Sequence, residues 1–186
     1  RRGGDIDDRP ASLAIFDHAI AYVPSQELYL DGTAEFHGAE ELPAQDQGVR
    51  VLHVDDGTMR VTPIADAAKN RVERTLRFAL APAGRDHADA GGRARVEETL
   101  RLVGQAAPAW RQHYEAADQR RERYERAWNA RFAGARVERV EMEVEDLARP
   151  VLVRAEVSII GLARPAAADG QAWLLPASAR EGEPER

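Results

Sequence analysis

The segment from Phe16 to Glu35 constrains the fold of this chain most, because it predicts a tight β-hairpin. Ile15 to Val23 is rich in apolar and β-branched residues and contains neither glycine nor proline, which is typical of a strand. Pro24-Ser25 supplies the turn, since proline presets φ at the first central position of common turns. Glu27 to Asp31 then forms a second short strand, which ends at a glycine.

The register expected for this hairpin brings a histidine opposite an aspartate. With a two-residue loop, Val23 pairs with Gln26, and the same register carried along the strands places His18 opposite Asp31. Directly opposed side chains share one face, with their Cβ atoms about 4.5–5.5 Å apart. At that separation an imidazole N–H can donate to a carboxylate, which then fixes the tautomer and orientation of the ring. The sequence therefore predicts two members of a nucleophile–His–Asp triad.

The same residues resemble a known protein family. Segments 17–23 (D-H-A-I-A-Y-V) and 28–33 (L-Y-L-D-G-T) look like the end of a bacterial transglutaminase-like domain, which has a papain-related fold and a Cys-His-Asp triad. The resemblance implies that His18 is the general base and Asp31 the orienting carboxylate. Gly32 stands where the family usually has proline. With segment 43–48 and the β-rich remainder, the chain resembles large bacterial proteins of the DUF3857, transglutaminase and DUF3858 arrangement, although the motifs cover only about residues 13–64.

The chain departs from this family in one chemically decisive respect, because it contains no cysteine. The thiolate is the nucleophile that such acyl transfer needs. In the family the cysteine lies upstream of the histidine, and this chain begins with Arg1 instead of methionine. We therefore expect a C-terminal portion that is inactive alone and whose partner is the missing N-terminal part of the same protein. Composition leaves a serine nucleophile open, although no serine stands where the family places its nucleophile.

Composition excludes several other classes of protein. The 186 residues are 44% hydrophobic and 31% charged, which is typical of a globular protein, and no block of like charge indicates nucleic-acid binding. No apolar run approaches the ~20 residues of a membrane span. The five histidines show no metal-ligand spacing, so we expect no metal site and no cofactor. The family resemblance implies a periplasmic, envelope-associated or secreted protein.

Patterning divides the chain into four regions. Residues 1–10 and 176–186 are polar tails that we expect to be flexible. The resemblance implies that residues 11–66 are the C-terminal β part of a transglutaminase-like domain. There a second hairpin, Val49–Val54 and Met59–Pro63 around the turn Asp55-Asp56-Gly57, is expected to extend the first sheet. Residues 71–175 are an α+β accessory domain beyond a polar connector.

The accessory domain is predicted to be a mainly antiparallel sheet covered by one long helix, which makes the whole chain α+β. The helix begins near Pro108 and ends about Phe132, with Gly134 as its C-terminal cap. Aromatic residues at 3–4 spacing along it predict a face that packs on the sheet. The predicted strands are Arg71–Ala81, Arg93–Val103 (whose apolar face Glu98 interrupts), Ala135–Val144, Val151–Ile160 and Gln171–Leu175.

Two functions from different classes follow from these patterns. In the first, the chain is the C-terminal portion of a transglutaminase-like cysteine enzyme, acting on a peptide or protein substrate by peptide hydrolysis or amide cross-linking. In the second, it is a non-catalytic, β-rich binding or structural module of a cell-envelope protein. The distance between His18 and Asp31 in the folded chain discriminates between these two interpretations.

Overall fold

A computed structural model describes residues 12–81, 92–165 and 173–174. The predicted tails, 1–10 and 176–186, lie outside the described residues. The chain divides into two compact units. The first comprises the described residues up to Val72 together with Leu102–Gln112 and Glu145–Pro150, and the remaining described residues form the second. The predicted domain limits, 11–66 and 71–175, stay a prediction.

The first hairpin of the first unit is present, but its register differs from the predicted one. Strands β1 (Ala21–Val23) and β2 (Leu28–Leu30) are antiparallel, and Val23 pairs with Leu28 instead of Gln26. The reason is the loop, in which a short 3-10 turn is followed by Glu27 in the left-handed region at a φ of 51°. Because the shift is two residues, every side chain keeps its predicted face.

The second hairpin is also present, as β3 (Arg50–His53) and β4 (Thr58–Val61). The prediction that it extends the first sheet is wrong, because each hairpin is a separate two-stranded sheet. Hydrogen bonds from loop residues hold the segment that leads into β3, and no strand pairing joins the two hairpins among the described residues. The buried hydroxyl of Thr62 donates to the carbonyl oxygen of Asp46 at 2.5 Å and accepts from the backbone N–H of Val49 at 3.0 Å.

A buried arginine joins the three sequence segments of the first unit. Arg111 lies on helix α1 (Ala106–His113) and is 2% exposed. Its guanidinium pairs with the Glu41 carboxylate at 2.6 Å and donates to the backbone carbonyls of Phe36, Leu147 and Arg149. One side chain therefore satisfies acceptors from the loop after β2 and from segment 145–150.

The second unit contains the larger sheet, formed by β5 (Arg71–Ala81), β6 (Gly92–Val103), β7 (Ala135–Glu143), β8 (Val151–Pro165) and β9 (Trp173–Leu174). Its strand order is β5-β6-β8-β7, with β9 pairing against β8. Side chains alternate along β8, where Val151, Val153, Ala155, Val157 and Ile159 are buried and the residues between them are more exposed. Strands β7 and β8 are antiparallel with a bulge between Val137 and Arg139, and β8 and β9 are also antiparallel.

The coarse α+β class is confirmed, but the single long helix is wrong. The predicted helix is divided into α1 and α2 (Arg120–Arg131). Arginines of α2 satisfy carbonyls at and after the end of α1: Arg123 donates to His113, the last residue of α1, and Arg120 donates to Tyr114 and Glu115 in the break. Such capping ends a helix without a glycine or proline. None of the helices in the described part of the chain is long and apolar enough to cross a membrane.

Glu98, which interrupts the apolar face of β6, is buried and hydrogen-bonded. Glu98 is 2% exposed, and one of its oxygens accepts from Tyr124 at 2.5 Å and from Trp128 at 3.1 Å. Its other oxygen accepts from Arg74 at 2.5 Å. The aromatic face of α2 therefore packs against the sheet as predicted, and its polar edges supply the donors that a buried carboxylate needs.

Candidate functional site

The structure brings together the two residues that the sequence assigned to a triad. His18 Nε2 lies 3.2 Å from Asp31 Oδ2, so the predicted contact is present. The two residues are not directly opposed, because His18 precedes β1 and the register is shifted by two. Both residues flank the paired strands, since Asp31 directly follows β2, and the antiparallel hairpin brings these flanking segments together.

The aspartate is fixed from both sides. Asp31 Oδ1 accepts from the backbone N–H of Thr33 at 2.9 Å and from its hydroxyl at 2.7 Å, while Oδ2 faces His18. The Asp31 side chain is only 1% exposed. Burial raises the pKa of Asp31, but the hydrogen bonds from Thr33 and His18 outweigh burial, so the pKa lies below its usual value. Asp31 is therefore held as a carboxylate in one orientation.

The histidine is placed differently, at the edge of an open cavity. The side chain of His18 is 39% exposed and lines a cavity of about 260 Å³. In the tautomer whose Nε2 donates to Asp31, Nδ1 carries the lone pair that can accept a proton. The cavity wall is mixed: Ile15, Phe16, Ile20, Val49 and Val51 are its apolar lining residues, and Asp17, Thr33, Gln45, Asp46 and Arg50 line it together with His18. The arrangement can orient an imidazole for general-base work beside an accessible space.

A second aspartate, which the sequence did not assign to the site, completes a cluster. Asp46 is 7% exposed, and the nearest ligand atoms of His18, Asp31 and Asp46 all lie within 4.8 Å of one another. Groups of these kinds could hold a divalent cation. Sequence spacing could not reveal Asp46, because it comes from the loop before β3 and not from the hairpin. Its one signal was its place between Pro43 and Gly48, in the segment that carried the family resemblance.

Two further histidines lie near the hairpin in different surroundings. His53 is buried, and a hydrogen bond of 2.9 Å joins its Nε2 to the hydroxyl of Tyr29. His37 is half-buried and lines a separate cavity of about 220 Å³ together with Asp31. Burial lowers the pKa of His37, and its Nδ1 has no hydrogen-bond partner among the described residues. The buried contact between Tyr29 and His53 was not predicted from the sequence.

Comparison of the chain with models of known protein families, with curated proteins and with solved structures finds no match. The family resemblance and the roles it implies therefore rest on the sequence motif alone. The geometry of the cluster stands independently of that motif.

Proposed function

We propose that this chain is the C-terminal portion of a transglutaminase-like cysteine acyl-transfer enzyme that acts on peptide or protein amides. The observation that supports the proposal most is the 3.2 Å contact between His18 Nε2 and Asp31 Oδ2. In a triad, a fixed carboxylate orients the imidazole, and the imidazole exchanges protons with the nucleophile and the leaving group. The buried Asp31 and the partly exposed His18 suit these two roles. The proposal assigns His18 as the general base and Asp31 as the residue that orients its ring.

The chemistry follows from the position of the ring. Asp31 holds the Nε2 proton, so Nδ1 can take the proton from a thiol as the sulfur attacks an amide carbon. The imidazolium then returns that proton to the leaving amine, and the acyl group stays on sulfur as a thioester. Water or an amine completes hydrolysis or transfer. The 186 residues contain no cysteine, so the proposal requires a thiol from outside them.

The cavity beside His18 suits this reaction because it places an accessible base beside a space lined by both apolar and polar side chains. The polar side chains can bind an amide group, and the apolar ones can pack against the neighbouring part of a substrate. The nucleophile and the acyl group would both have to enter this space from the side on which His18 is exposed.

The test uses the complete product of the encoding gene and a glutamine-containing peptide, with ammonia release and incorporation of a primary amine as the two readouts. His18→Ala should lower kcat by about 10²- to 10⁴-fold, because general-base catalysis contributes that much. Asp31→Asn should also lower kcat strongly, since an amide no longer selects the productive tautomer. The exposed His113 provides the matched control, and His113→Ala should leave kcat unchanged.

Two results would overturn the proposal. One is a complete gene product that shows neither hydrolysis nor amine transfer, which would favour the alternative of a non-catalytic binding or structural module. The other is an active product in which His18→Ala and His113→Ala behave alike.

A further inference from the structure

Asp46 places a second carboxylate beside Asp31 and His18, in a position that is almost closed to solvent. The residue is 7% exposed, and its Oδ2 has no hydrogen-bond partner among the described residues. Arg50 lines the same cavity but does not donate to that oxygen. A buried carboxylate oxygen without a donor is costly, and a coordinated metal ion is one of the partners that offsets this cost.

Hydrogen bonds hold both carboxyl groups of the cluster in place. Asp46 ends a short 3-10 turn in which its N–H donates to the carbonyl of Pro43 at 2.9 Å, and the buried Thr62 hydroxyl donates to the Asp46 carbonyl at 2.5 Å. Thr33 donates to Asp31 Oδ1 and leaves Oδ2 facing His18. Metal-ligating carboxylates are commonly supported by such outer hydrogen bonds, which fix the orientation of the ligand.

The separations between the three side chains fit a small cation. Zinc ligands lie about 2.0–2.1 Å from the ion, so at tetrahedral angles they lie about 3.3–3.4 Å from one another. His18 Nε2 and Asp31 Oδ2 are already 3.2 Å apart. The ligand atoms of all three residues lie within 4.8 Å of one another, so an ion would close the cluster by movements of about 1.5 Å or less. The 39% exposed side chain of His18, at the edge of the cavity, has room for such a movement.

The donor atoms distinguish between kinds of cation. One imidazole nitrogen and two carboxylate oxygens form a set that zinc binds in proteins, with a fourth position left for water. Calcium takes about 6–8 oxygen ligands, and magnesium demands a near-ideal octahedron that is rich in oxygen. Three protein ligands of which one is a nitrogen suit neither of these two ions.

We propose that His18, Asp31 and Asp46 bind a zinc ion, and that the bound ion prevents His18 from acting as a general base. Binding through Nε2 releases the proton of that nitrogen to water, and the neutral ring carries its proton on Nδ1 instead. Nδ1 then has no lone pair with which to accept the proton of a thiol. Zinc binding depends on the cluster alone, whereas its effect on acyl transfer rests on the proposed function. The spacing of histidines in the sequence gave no sign of this site, because two of its three ligands are aspartates from different loops.

The first test is a zinc chloride titration of the 186-residue chain, followed by calorimetry and by NMR of the histidine ring nitrogens. The chain contains no cysteine, so no thiolate competes for the ion. We expect one zinc ion per chain, with the ion on His18 Nε2 and the proton on Nδ1. Calcium chloride and magnesium chloride should not displace it at equal concentration. Absence of one-to-one binding, an ion held by another histidine, or displacement by calcium or magnesium would overturn the proposal.

A variant of Asp46 tests the second carboxylate. Asp46→Asn changes the shape of the side chain little and should weaken zinc binding at least about 100-fold, since loss of even an outer partner of a ligand costs about 10- to 100-fold. The exposed Glu40 and His113 supply matched controls, and Glu40→Gln and His113→Ala should leave the affinity unchanged. Wild-type affinity in Asp46→Asn would overturn the assignment of Asp46. The NMR readout of wild-type His18 decides the question if Asp46→Asn does not fold.

The effect on catalysis is measured with the complete gene product, as the ratio of ammonia release with and without zinc chloride. Zinc should lower the rate of the wild type, and the same concentration should lower the rate of Asp46→Asn less. Equal inhibition of both proteins would overturn the inhibitory role of this site. A complete gene product that is inactive without zinc would refute the proposed function and leave the zinc titration of the 186-residue chain unchanged.

Discussion

Glu98 is a single residue on which the second unit should depend strongly. Replacing it with alanine leaves the Tyr124 hydroxyl and the Trp128 N–H buried without their acceptor. We expect Glu98→Ala to lower the free energy of unfolding by about 2–4 kcal/mol, because an unsatisfied buried polar group costs more than the net worth of its hydrogen bond. Urea denaturation measures the change. The neighbouring Glu97 is exposed, and Glu97→Ala should stay within about 0.5 kcal/mol of wild type. Equal stability of the two variants would contradict the described network.

Asp46 should leave a signature in the dependence of stability on pH. Its pKa is raised in the folded chain, so its contribution to stability is present below the unfolded pKa of about 3.9 and is lost as pH rises through the folded pKa. Asp46→Asn removes that loss, and the stability of this variant relative to wild type should increase with pH above about 4 and then level off. Urea midpoints across pH measure the trend, with Glu40→Gln as a flat control. A relative stability that falls with pH would show that the Asp46 anion is favourable.

At the scale of residues, the sequence predicted one contact of the cluster and missed the other. The proximity of His18 and Asp31 was predictable because an antiparallel hairpin brings the residues before its first strand close to those after its second strand. Asp46 was not predictable, because it comes from an irregular loop that a Thr62 hydroxyl holds in place. The hydrogen bond from Thr62 to this loop leaves no periodic pattern in the sequence from which it could be predicted.

At the scale of elements, the loop of the first hairpin contains one residue, Glu27, in a strained backbone conformation. Glu27 has a φ of 51°, a conformation that costs residues with a Cβ roughly 1–2 kcal/mol and glycine almost nothing. We expect Glu27→Gly to raise the free energy of unfolding by about 0.5–1 kcal/mol, after the extra entropy of glycine in the unfolded chain is subtracted. The neighbouring Gln26→Gly, at an ordinary φ, should lower the free energy instead. Urea denaturation that gives both variants the same sign would contradict the observed loop.

The elements themselves were largely predictable, whereas their ends and partners were not. β5 matches its predicted limits, Arg71–Ala81, since a run of strand-forming residues lies between turn formers. The break between α1 and α2 escaped prediction because it contains no glycine or proline, and a distant side chain, Arg123, satisfies the carbonyl of the last α1 residue, His113. The separation of the two hairpins into different sheets likewise depends on loop contacts.

At the scale of the whole molecule, the organisation of the first unit depends on contacts between distant segments. Arg111 satisfies acceptors that lie about 70 positions before it and more than 30 positions after it in the sequence. Sequence periodicity does not predict contacts between residues so far apart in the chain. It also gives no reason to expect a buried arginine, because arginine side chains are mostly exposed to solvent. The coarse α+β class was predictable because it needs only element types and their order.

The measurement that tests the central claim most directly is the pH profile of thiol alkylation by iodoacetamide in the complete gene product. If His18 and Asp31 serve a cysteine nucleophile, the wild-type thiol should react well below pH 8.5, the usual pKa of a free thiol. His18→Ala should move the profile up toward that value, and His113→Ala should leave it in place. The account would be contradicted by a product that has no reactive thiol, or by a profile that the loss of His18 leaves unchanged.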